Sequence, residues 1–334
     1  MRRLTSFSNI VVIISALGFV ISGRSQTVPD QSAGENSVPK PVPAEEVLPL
    51  SVSVADGPIE LTTNPAIDLI FRPLNQLQPA EIDSLLRSTN TAVSEVNRRI
   101  AVYSERAKGT PYSLFCLGEG PNAKYDRGPL VDFSRVDCMT FCEQILALSI
   151  SSSWDEMFAN LQRIRYRNGE IDIRTRNHYT LADWLPNNDW LLLDATEAIG
   201  GSFCREMTKT IDRPALLRKL AVPDSELVAV PPPQVMTIKY IPEEYLPAIE
   251  TNLIGGEVVS IVTSAPGIFS AHMGFIMRDQ SGNVLFRHAS SKKEFNQVVD
   301  EPFAKVIDDL KNHAARNGMV FMRVRPRDSV ISDQ

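Results

Sequence analysis

Residues 271–277 (AHMGFIM) and 283–288 (NVLFRH) flank the polar segment DQSG at 279–282, and these stretches decide which fold to expect. Apolar runs of this length on either side of a glycine-containing turn predict an antiparallel β-hairpin. A further run rich in β-branched residues, GEVVSIVT at 256–263, precedes the hairpin and predicts a neighbouring strand. We therefore expect an antiparallel sheet in the C-terminal part of the chain.

Helices are predicted mainly before these strands. Apolar residues recur with a helical period from 80 to 107, and residues 131–149 predict a turn that leads into a buried helix. A further helix is predicted at 153–162, where a serine and a glutamate form a capping-box pattern. A helix near 302–314 and a strand at 319–324 follow the hairpin. Because a helix cluster precedes mostly sequential strands, the predicted fold class is α+β.

Five arginines lie close together between residues 163 and 176. Asn168-Gly169 is a frequent two-residue turn, and apolar and polar residues alternate on both sides of it. We therefore predict a short hairpin that carries Arg163, Arg165, Arg167, Arg174 and Arg176. Crowded charges of this kind usually form a solvated face.

The first 25 residues have the features of a secretory signal peptide. Arg2 and Arg3 precede the apolar run Ile10–Ile21, and Gly23 and Ser25 are small residues at the spacing of a cleavage site. The alternative is an uncleaved N-terminal anchor, although the run is short for a membrane span. In either case we expect an exported protein that acts in the periplasm or outside the cell, without stable membrane insertion once the signal is removed.

Composition limits the remaining possibilities. Residues 26–78 are rich in proline and predict an extended linker, which leaves a folded domain at 79–330. The 334 residues carry 40 acidic and 34 basic side chains, a net charge of −6, which argues against a nucleic-acid partner. The hydrophobic content of 43% is sufficient for a core. The 7% of aromatic and 22% of charged residues exclude a wholly disordered or fibrous chain.

Several common catalytic motifs are missing from the sequence. There is no G-x-S-x-G, no phosphate-binding G-x(4)-G-K-[ST] and no H-E-x-x-H. A cysteine assisted by a histidine remains as the best candidate nucleophile. Cys138 lies at the predicted start of the buried helix, where free N–H groups should lower the pKa of its thiol and could hold an oxyanion. The alternative is a small core residue, which is what we expect of Cys142 one turn later.

Two of the four histidines, His272 and His288, lie on the two strands of the predicted hairpin. Depending on the centre of the turn, His288 pairs with His272 or with Gly274. Both registers place the imidazoles on one face, directly opposite or on a diagonal of ~7–8 Å. Such a pair fits a general base and a residue that orients it. Two structural histidines, or a metal pair with Cys138, are the alternatives. Because no compact zinc-ligand spacing is present, we expect no metal and no cofactor.

Five segments together resemble the NlpC-type papain-like cell-wall cysteine peptidases, and more closely their N-acetylmuramoyl-L-alanine amidase-like branch. They are GTPYSLFCLGEG (109–120), VDCMTFCE (136–143), RNHYTLADW (176–184), SAHMGFI (270–276) and RHASS (287–291). The resemblance spans about residues 79–324. One departure is Cys142, where a small aliphatic residue is expected, but both residue types pack in a core.

The resemblance implies a papain-like α+β fold. In that fold the helix cluster carries Cys138 and packs on an antiparallel sheet that carries His272 and His288. The separation between Cys138 and His272 is long for compact members of the superfamily. We therefore expect a large insertion at about 155–250 that walls the substrate cleft.

The resemblance also implies a function. We expect a cysteine amidase that cleaves the bond between N-acetylmuramic acid and L-Ala in peptidoglycan fragments (muropeptides). Cys138 would be the nucleophile, His272 the base and His288 the residue that orients the base. One alternative is an endopeptidase of the same superfamily that cuts between D-Glu and the diamino acid. Another is a non-catalytic cell-wall binding module, in which the Cys138 thiol is inert.

Further residues are candidates for substrate binding. They are Tyr112, Asn177, His178, Asp183, Trp184 and Arg287. A core anchor or a hydrogen-bonded loop residue is the structural alternative for this set. The arginine-rich hairpin could likewise recognise carboxylates of the stem peptide, because arginine binds them in a bidentate manner.

The proposed chemistry requires Cys138 to be reduced in an oxidising compartment. Cys138 and Cys142 are four residues apart in one predicted helix, where the Cα–Cβ directions are poorly placed for a disulfide. We therefore expect both to be free thiols. A disulfide between Cys116 and Cys204 remains open.

Overall fold

The computed structural model describes residues 72–325 of the chain. The predicted signal peptide, and the predicted linker up to residue 71, lie outside these residues. Leu74 and Leu77, which the sequence assigned to the end of the linker, are buried in the main hydrophobic cluster. Packing therefore begins before residue 79. Within residues 72–325 no helix is long and apolar enough to cross a membrane.

The helical elements of the described residues differ in length and type. Helices of seven or more residues are α1 (Pro79–Ala92), α2 (Val96–Arg106), α3 (Cys138–Ile150), α4 (Trp154–Arg165), α5 (Arg213–Lys219) and α6 (Phe303–Lys311). Shorter α-helical segments are Leu185–Asn187, Thr196–Gly200 and Leu246–Ile249, and a π-helical turn spans Thr180–Trp184. Short 3₁₀ segments are Leu74–Gln76, Arg167–Gly169, Gly201–Phe203, Asp224–Glu226, Glu243–Tyr245 and Glu250–Asn252.

The strands form one antiparallel sheet. They are β1 (Leu192–Asp194), β2 (Arg205–Ile211), β3 (Gln234–Pro242), β4 (Val258–Thr263), β5 (Ser270–Arg278), β6 (Val284–Ala289), β7 (Val298–Pro302) and β8 (Arg316–Val324). Their order in the sheet is β2-β3-β8-β4-β5-β6-β7, and β1 also pairs with β8. Every pairing of these strands is antiparallel. The predicted α+β class with an antiparallel sheet is confirmed.

Both faces of the central strands are covered. All six residues of β4 are buried, and successive residues such as Val258 and Val259 belong to different hydrophobic clusters. On one face, Phe141 of α3 packs edge-on against Phe275 of β5, with ring centroids 5.5 Å apart. On the other face, α6 contributes Val306 to the second cluster. The helix that bears Cys138 is thereby held firmly against the sheet.

The helical pattern at 80–107 forms two helices rather than one. α1 ends at Ala92, and Val93 has an extended backbone. The buried guanidinium of Arg99 donates a hydrogen bond from Nε to the carbonyl oxygen of Val93, at 2.6 Å. Since a helix end leaves carbonyl groups without intrahelical partners, this bond stabilises the break.

The predicted hairpin at 163–176 is wrong. Helix α4 continues through Arg165 because Met157, Leu161 and Ile164 follow a helical spacing and are fully buried. Asn168 does form a tight turn with a positive φ of 57°, but it lies in a 3₁₀ segment. A single bridge between Tyr166 and Arg176 is all that remains of strand pairing there.

Strands β2 and β3 form a ribbon that extends beyond the rest of the sheet. The whole of β2 pairs with residues 234–240 of β3, whereas only Ile241 and Pro242 of β3 pair with β8. The ribbon and α5 lie within the predicted insertion at 155–250. The hydroxyl of Tyr179 donates a hydrogen bond to the carbonyl of Asp212, the residue just before α5.

Candidate active site

The N-terminus of α3 is organised by Asp137. Its carboxylate accepts hydrogen bonds from the backbone N–H groups of Met139 (3.1 Å) and Thr140 (2.8 Å), while its own N–H donates to the Thr140 hydroxyl (2.9 Å). The same carboxylate accepts from the N–H of Phe115 at 3.2 Å, which ties the loop 109–120 to the start of the helix. Local capping therefore explains why Asp and Thr flank Cys138 in the sequence.

Cys138 is the first residue of α3 and is 7% exposed. Burial, together with the negative charge of Asp137, raises the pKa of its thiol to about 12, although backbone N–H groups, including that of Met273, act in the opposite direction. The predicted lowering of this pKa by the helix N-terminus is therefore wrong, and Cys138 rests as a neutral thiol. Cys142 is fully buried, as predicted, and burial raises its pKa as well.

The hairpin of β5 and β6 brings the two predicted histidines together. Phe275 pairs with Arg287, so His288 lies one position further, opposite Gly274. Of the two predicted registers, the diagonal one is therefore correct. Nε2 of His272 lies 2.7 Å from Nδ1 of His288, and the two ring planes are nearly perpendicular at 89°.

A third group, which the sequence did not indicate, completes a hydrogen-bonded chain. Nε2 of His288 lies 2.9 Å from Oε2 of Glu301 on β7. Because an ionised carboxylate only accepts, His288 carries its proton on Nε2 and accepts on Nδ1 from the Nε2–H of His272. Nδ1 of His272 is left with a free lone pair, which is what a general base requires. We call this chain of His272, His288 and Glu301 the histidine relay.

Burial keeps both imidazoles of the relay neutral. Burial lowers the pKa of His272 well below its ordinary value. Burial also lowers the pKa of His288. Burial alone would raise the pKa of Glu301, but hydrogen bonds from His288, Lys305 and Lys292 hold it far below its usual range. The relay therefore contains one fixed negative charge and two neutral rings.

Packing holds the relay in place. The ring of Phe286 stacks on His288, with centroids 4.8 Å apart at 21°, and contacts His272 edge-on at 6.0 Å. A Cβ at Gly274 would lie 2.6 Å from the carbonyl oxygen of Arg287 and 2.7 Å from the Phe286 ring. The glycine two residues after His272 is thus required by the close approach of β6 and the aromatic ring.

Two cavities meet at His272. The thiol cavity is lined by Cys138, Met139, residues 178–182 and residues 268–273. The histidine cavity is lined by Ile261, Ala271, His272, Phe286, His288, Ser290, Ser291, Lys292, Glu301, Val306, Asp309, Leu310 and Arg316. Since Ala271 and His272 belong to both, a substrate that crosses from one cavity to the other passes the imidazole. The structure therefore brings the predicted Cys138, His272 and His288 to one cleft.

The predicted substrate-binding residues are distributed unevenly around this cleft. His178 lines the thiol cavity, and burial followed by the charge of Arg176 lowers its pKa to about 4. Tyr112 lines neither cavity, but burial raises the pKa of its phenol, so it stays protonated beside the thiol. Asn177 and Asp183 line a neighbouring cavity instead, where both already have hydrogen-bond partners, such as Asn187 for Asn177.

Trp184 and Arg287 are not brought to the cleft. Trp184 is completely buried in the hydrophobic core. Arg287 points to the opposite face of β6 from His288, where it is 4% exposed and pairs with Asp300 at 2.6 Å. Their predicted contact with substrate is therefore wrong. The alternation of side chains along a strand accounts for Arg287, since neighbours of a cleft-facing histidine point away.

The sulfur atoms are unpaired throughout the described residues. Cys116, Cys138, Cys142 and Cys204 are all free thiols. Cys116 lies 3.3 Å from the hydroxyl of Thr140, while Cys204 is hydrogen-bonded to the carbonyl of Thr196, so the disulfide left open between them does not form. No cluster of three or more His, Cys, Asp or Glu residues in 72–325 is arranged to hold a metal ion.

Solved structures of other proteins are similar to this one in fold. A crystal structure of a protein from Legionella pneumophila is 25% identical, with a TM-score of 0.66, and the match covers 74% of this chain and 94% of that one. A crystal structure of an N-acetylmuramoyl-L-alanine amidase from Bacteroides uniformis is also 25% identical, with a TM-score of 0.57 and coverage of 69% and 99%. No curated protein is significantly similar in sequence.

The family comparison covers the thiol and the histidine relay of the candidate site. The AmiA-like family model, described as N-acetylmuramoyl-L-alanine amidase-like, matches residues 102–314. That range includes Cys138, His272, His288 and Glu301 and more than half of the chain. The protein therefore belongs to the N-acetylmuramoyl-L-alanine amidase-like family.

Proposed function

We propose that the protein is a cysteine amidase that cleaves the bond between N-acetylmuramic acid and L-Ala in peptidoglycan fragments. The observation that carries the proposal is the cleft in which the Cys138 thiol and the base end of the histidine relay meet. Membership in the amidase-like family supports a peptidoglycan substrate. A nucleophile on a helix N-terminus with its base on an antiparallel sheet is also consistent with an NlpC-type, papain-like architecture.

The first half of the reaction uses the neutral resting pair. Nδ1 of His272 takes the thiol proton as the sulfur of Cys138 attacks the lactyl carbonyl carbon of the muramic acid. The backbone N–H of Cys138, at the start of α3, donates to the oxyanion that forms. His272 then gives its proton to the amine of L-Ala as the C–N bond breaks, and a thioester remains on Cys138.

The second half returns the enzyme to its starting state. His272 takes a proton from a water molecule that attacks the thioester carbon, and the sulfur leaves with that proton. Free N-acetylmuramic acid is released and the thiol is regenerated. In both halves His288 and Glu301 keep Nδ1 of His272 directed at the cleft, and the negative charge of Glu301 stabilises the imidazolium that forms transiently.

The electrostatics of the cleft set the expected pH dependence. The base acts only when unprotonated, and the pKa of His272 lies well below 6.5. The acid limb of kcat/KM should therefore fall below pH 6.5, since protonation of His272 occurs only in more acidic solution. The high pKa of Cys138 means that alkylation of the free enzyme should not show a midpoint below ~8.5, the reference value of a thiol.

The decisive experiment uses a muramyl tripeptide with mass analysis of the products. Wild-type protein should release N-acetylmuramic acid and an intact tripeptide, and Cys138→Ala and Cys138→Ser should release neither. Cys204→Ser is the matched control, because this partly exposed thiol lines neither cavity, and it should keep full activity. Full activity of Cys138→Ala or Cys138→Ser would show that Cys138 is not the nucleophile.

The same assay separates the other candidate functions. A sugar that retains L-Ala and D-Glu would identify the endopeptidase instead. Retained binding of cell-wall fragments without any cleavage would identify a binding module.

We further propose that the protein is exported to the periplasm or beyond. A fusion of the first 30 residues to a reporter that folds only outside the cytoplasm should therefore be active.

A further inference from the structure

A strongly basic cavity adjoins the thiol cavity. Four arginines line it, against a single acidic residue, and they are Arg167, Arg174, Arg176 and Arg213. Asp183 is that acidic residue. His178 lines both this basic cavity and the thiol cavity, so the two are neighbours. A substrate bound at Cys138 can therefore extend toward the arginines.

Most of the positive charge in the basic cavity is already compensated. Three ion pairs with distances of 2.6–2.8 Å account for it: Arg174 with Asp172, Arg176 with Asp126, and Arg213 with Asp183. Arg167 differs from these three, because in residues 72–325 its guanidinium has no hydrogen bond and no ion pair, and it is exposed. The charge of Arg167 helps to lower the pKa of Asp183, but Asp183 already has Arg213 as its ion-pair partner. Arg167 is thus a cation available to a ligand.

His178 adds an acceptor beside this cation. Its Nε2 lies 2.7 Å from the carbonyl oxygen of Ile173, so the ring proton must be on Nε2. Because its pKa is lowered to about 4, the ring is neutral at physiological pH and Nδ1 carries a lone pair. His178, which lines both cavities, therefore offers an acceptor, and Arg167 in the basic cavity offers a cation. This combination suits a peptide N–H followed by a carboxylate.

We propose that the basic cavity is the subsite for the stem peptide, with Arg167 binding one of its carboxylates; this rests on the proposed amidase function. In an amide-linked muropeptide the sugar half carries no ionisable group, whereas the peptide half carries the carboxylates of D-Glu and of the diamino acid. Only the peptide half is therefore attracted by an uncompensated arginine. This orients the substrate, with the peptide toward Arg167 and the sugar toward the histidine cavity.

Kinetics on two matched substrates test this proposal. One is a muramyl tripeptide with free carboxylates, and the other is the same compound with every carboxylate converted to an amide. Arg167→Gln should raise KM for the first by about tenfold, the usual worth of a charged hydrogen bond, with little change in kcat. KM for the amidated substrate should not change. Arg167→Lys should restore part of the affinity, because it keeps the charge but loses the bidentate geometry.

A matched control uses an arginine away from the cleft. Arg87 is exposed on α1 and lines none of the three cavities described above, so Arg87→Gln should leave both KM values unchanged. Equal KM values for wild type and Arg167→Gln on the carboxylate substrate would overturn the subsite. An equal loss on both substrates would also overturn it, since a general structural defect would then be the cause.

A binding measurement separates this inference from the proposed reaction. The free tripeptide L-Ala-D-Glu-diaminopimelate, titrated into Cys138→Ala, should bind about tenfold more weakly when Arg167→Gln is added, and inorganic phosphate should not compete at equal concentration. If muropeptides are never cleaved but this difference is found, the amidase proposal fails and the subsite stands. If muropeptides are cleaved and the tripeptide binds both variants equally, the subsite fails alone.

Discussion

Glu301 and Glu143 are both buried carboxylates, yet they lie in opposite electrostatic settings. Glu301 receives hydrogen bonds from His288, Lys292 and Lys305, and its pKa is held far below its usual range despite burial. Glu143, in the middle of α3, has Arg165 as its ion-pair partner, at 3.6 Å, and burial raises its pKa to about 7. The number and closeness of the positive partners, rather than burial itself, decide whether a buried carboxylate is charged.

The difference has a functional meaning. A relay that stabilises a transient imidazolium needs a permanent anion, and the two lysines beside Glu301 provide the conditions for one. The carboxyl of Glu143 lines neither cavity of the cleft, so it can exchange its proton near neutral pH without affecting the reaction. Stability should therefore respond to Glu143, and turnover to the relay.

The largest expected effect concerns the pH dependence of stability. The folded-state pKa of Glu143, about 7, is raised above the unfolded value of 4.5, so its stabilising contribution is complete below pH 4.5 and is lost as pH rises through 7. The shift corresponds to about 3 kcal/mol between these limits. Urea unfolding from pH 5 to 8 should show this decline in the wild type and a flatter profile in Glu143→Gln. The same slope in both proteins would mean that Glu143 is as well compensated as Glu301.

The next effect concerns the ring that joins Glu301 to the base. His288→Ala removes the group that orients His272, and we expect a partial loss, about 100-fold in kcat, with KM little changed, because the base itself remains. His313→Ala is the control, since His313 lies after α6 and lines neither cavity of the cleft; its activity should equal that of the wild type. A kcat for His288→Ala within twofold of the wild type would show that His272 is oriented without the relay.

A smaller effect is expected from Glu301 itself. Glu301→Gln keeps an acceptor for the Nε2–H of His288 but removes the charge that stabilises the imidazolium, so kcat should fall about tenfold. Asp300→Asn is a closely matched control, because it changes the adjacent carboxylate on β7, which pairs with Arg287 away from His288. If the two variants lose activity equally, the loss reflects stability of β7 and the relay is not the cause.

The sequence determined the parts of the protein that depend on neighbouring residues. Asp137 and Thr140 cap α3 through contacts within four residues, and the hairpin that carries His272 and His288 depends on its own turn. The periodicity of apolar residues likewise indicated helices followed by antiparallel strands. The resemblance in these same segments indicated the amidase-like family.

Only the tertiary structure decided the rest, because it depends on residues far apart in the chain. Glu301 reaches His288 through the pairing of β6 with β7, and its sequence context contains no catalytic signal. Burial of Cys138 against the sheet outweighs the helix N-terminus and raises the pKa of its thiol. Arg165, predicted on an exposed strand, is buried in α4 beside Glu143. Desolvation and ion pairing are properties of the assembled core, so local sequence patterns could not reveal them.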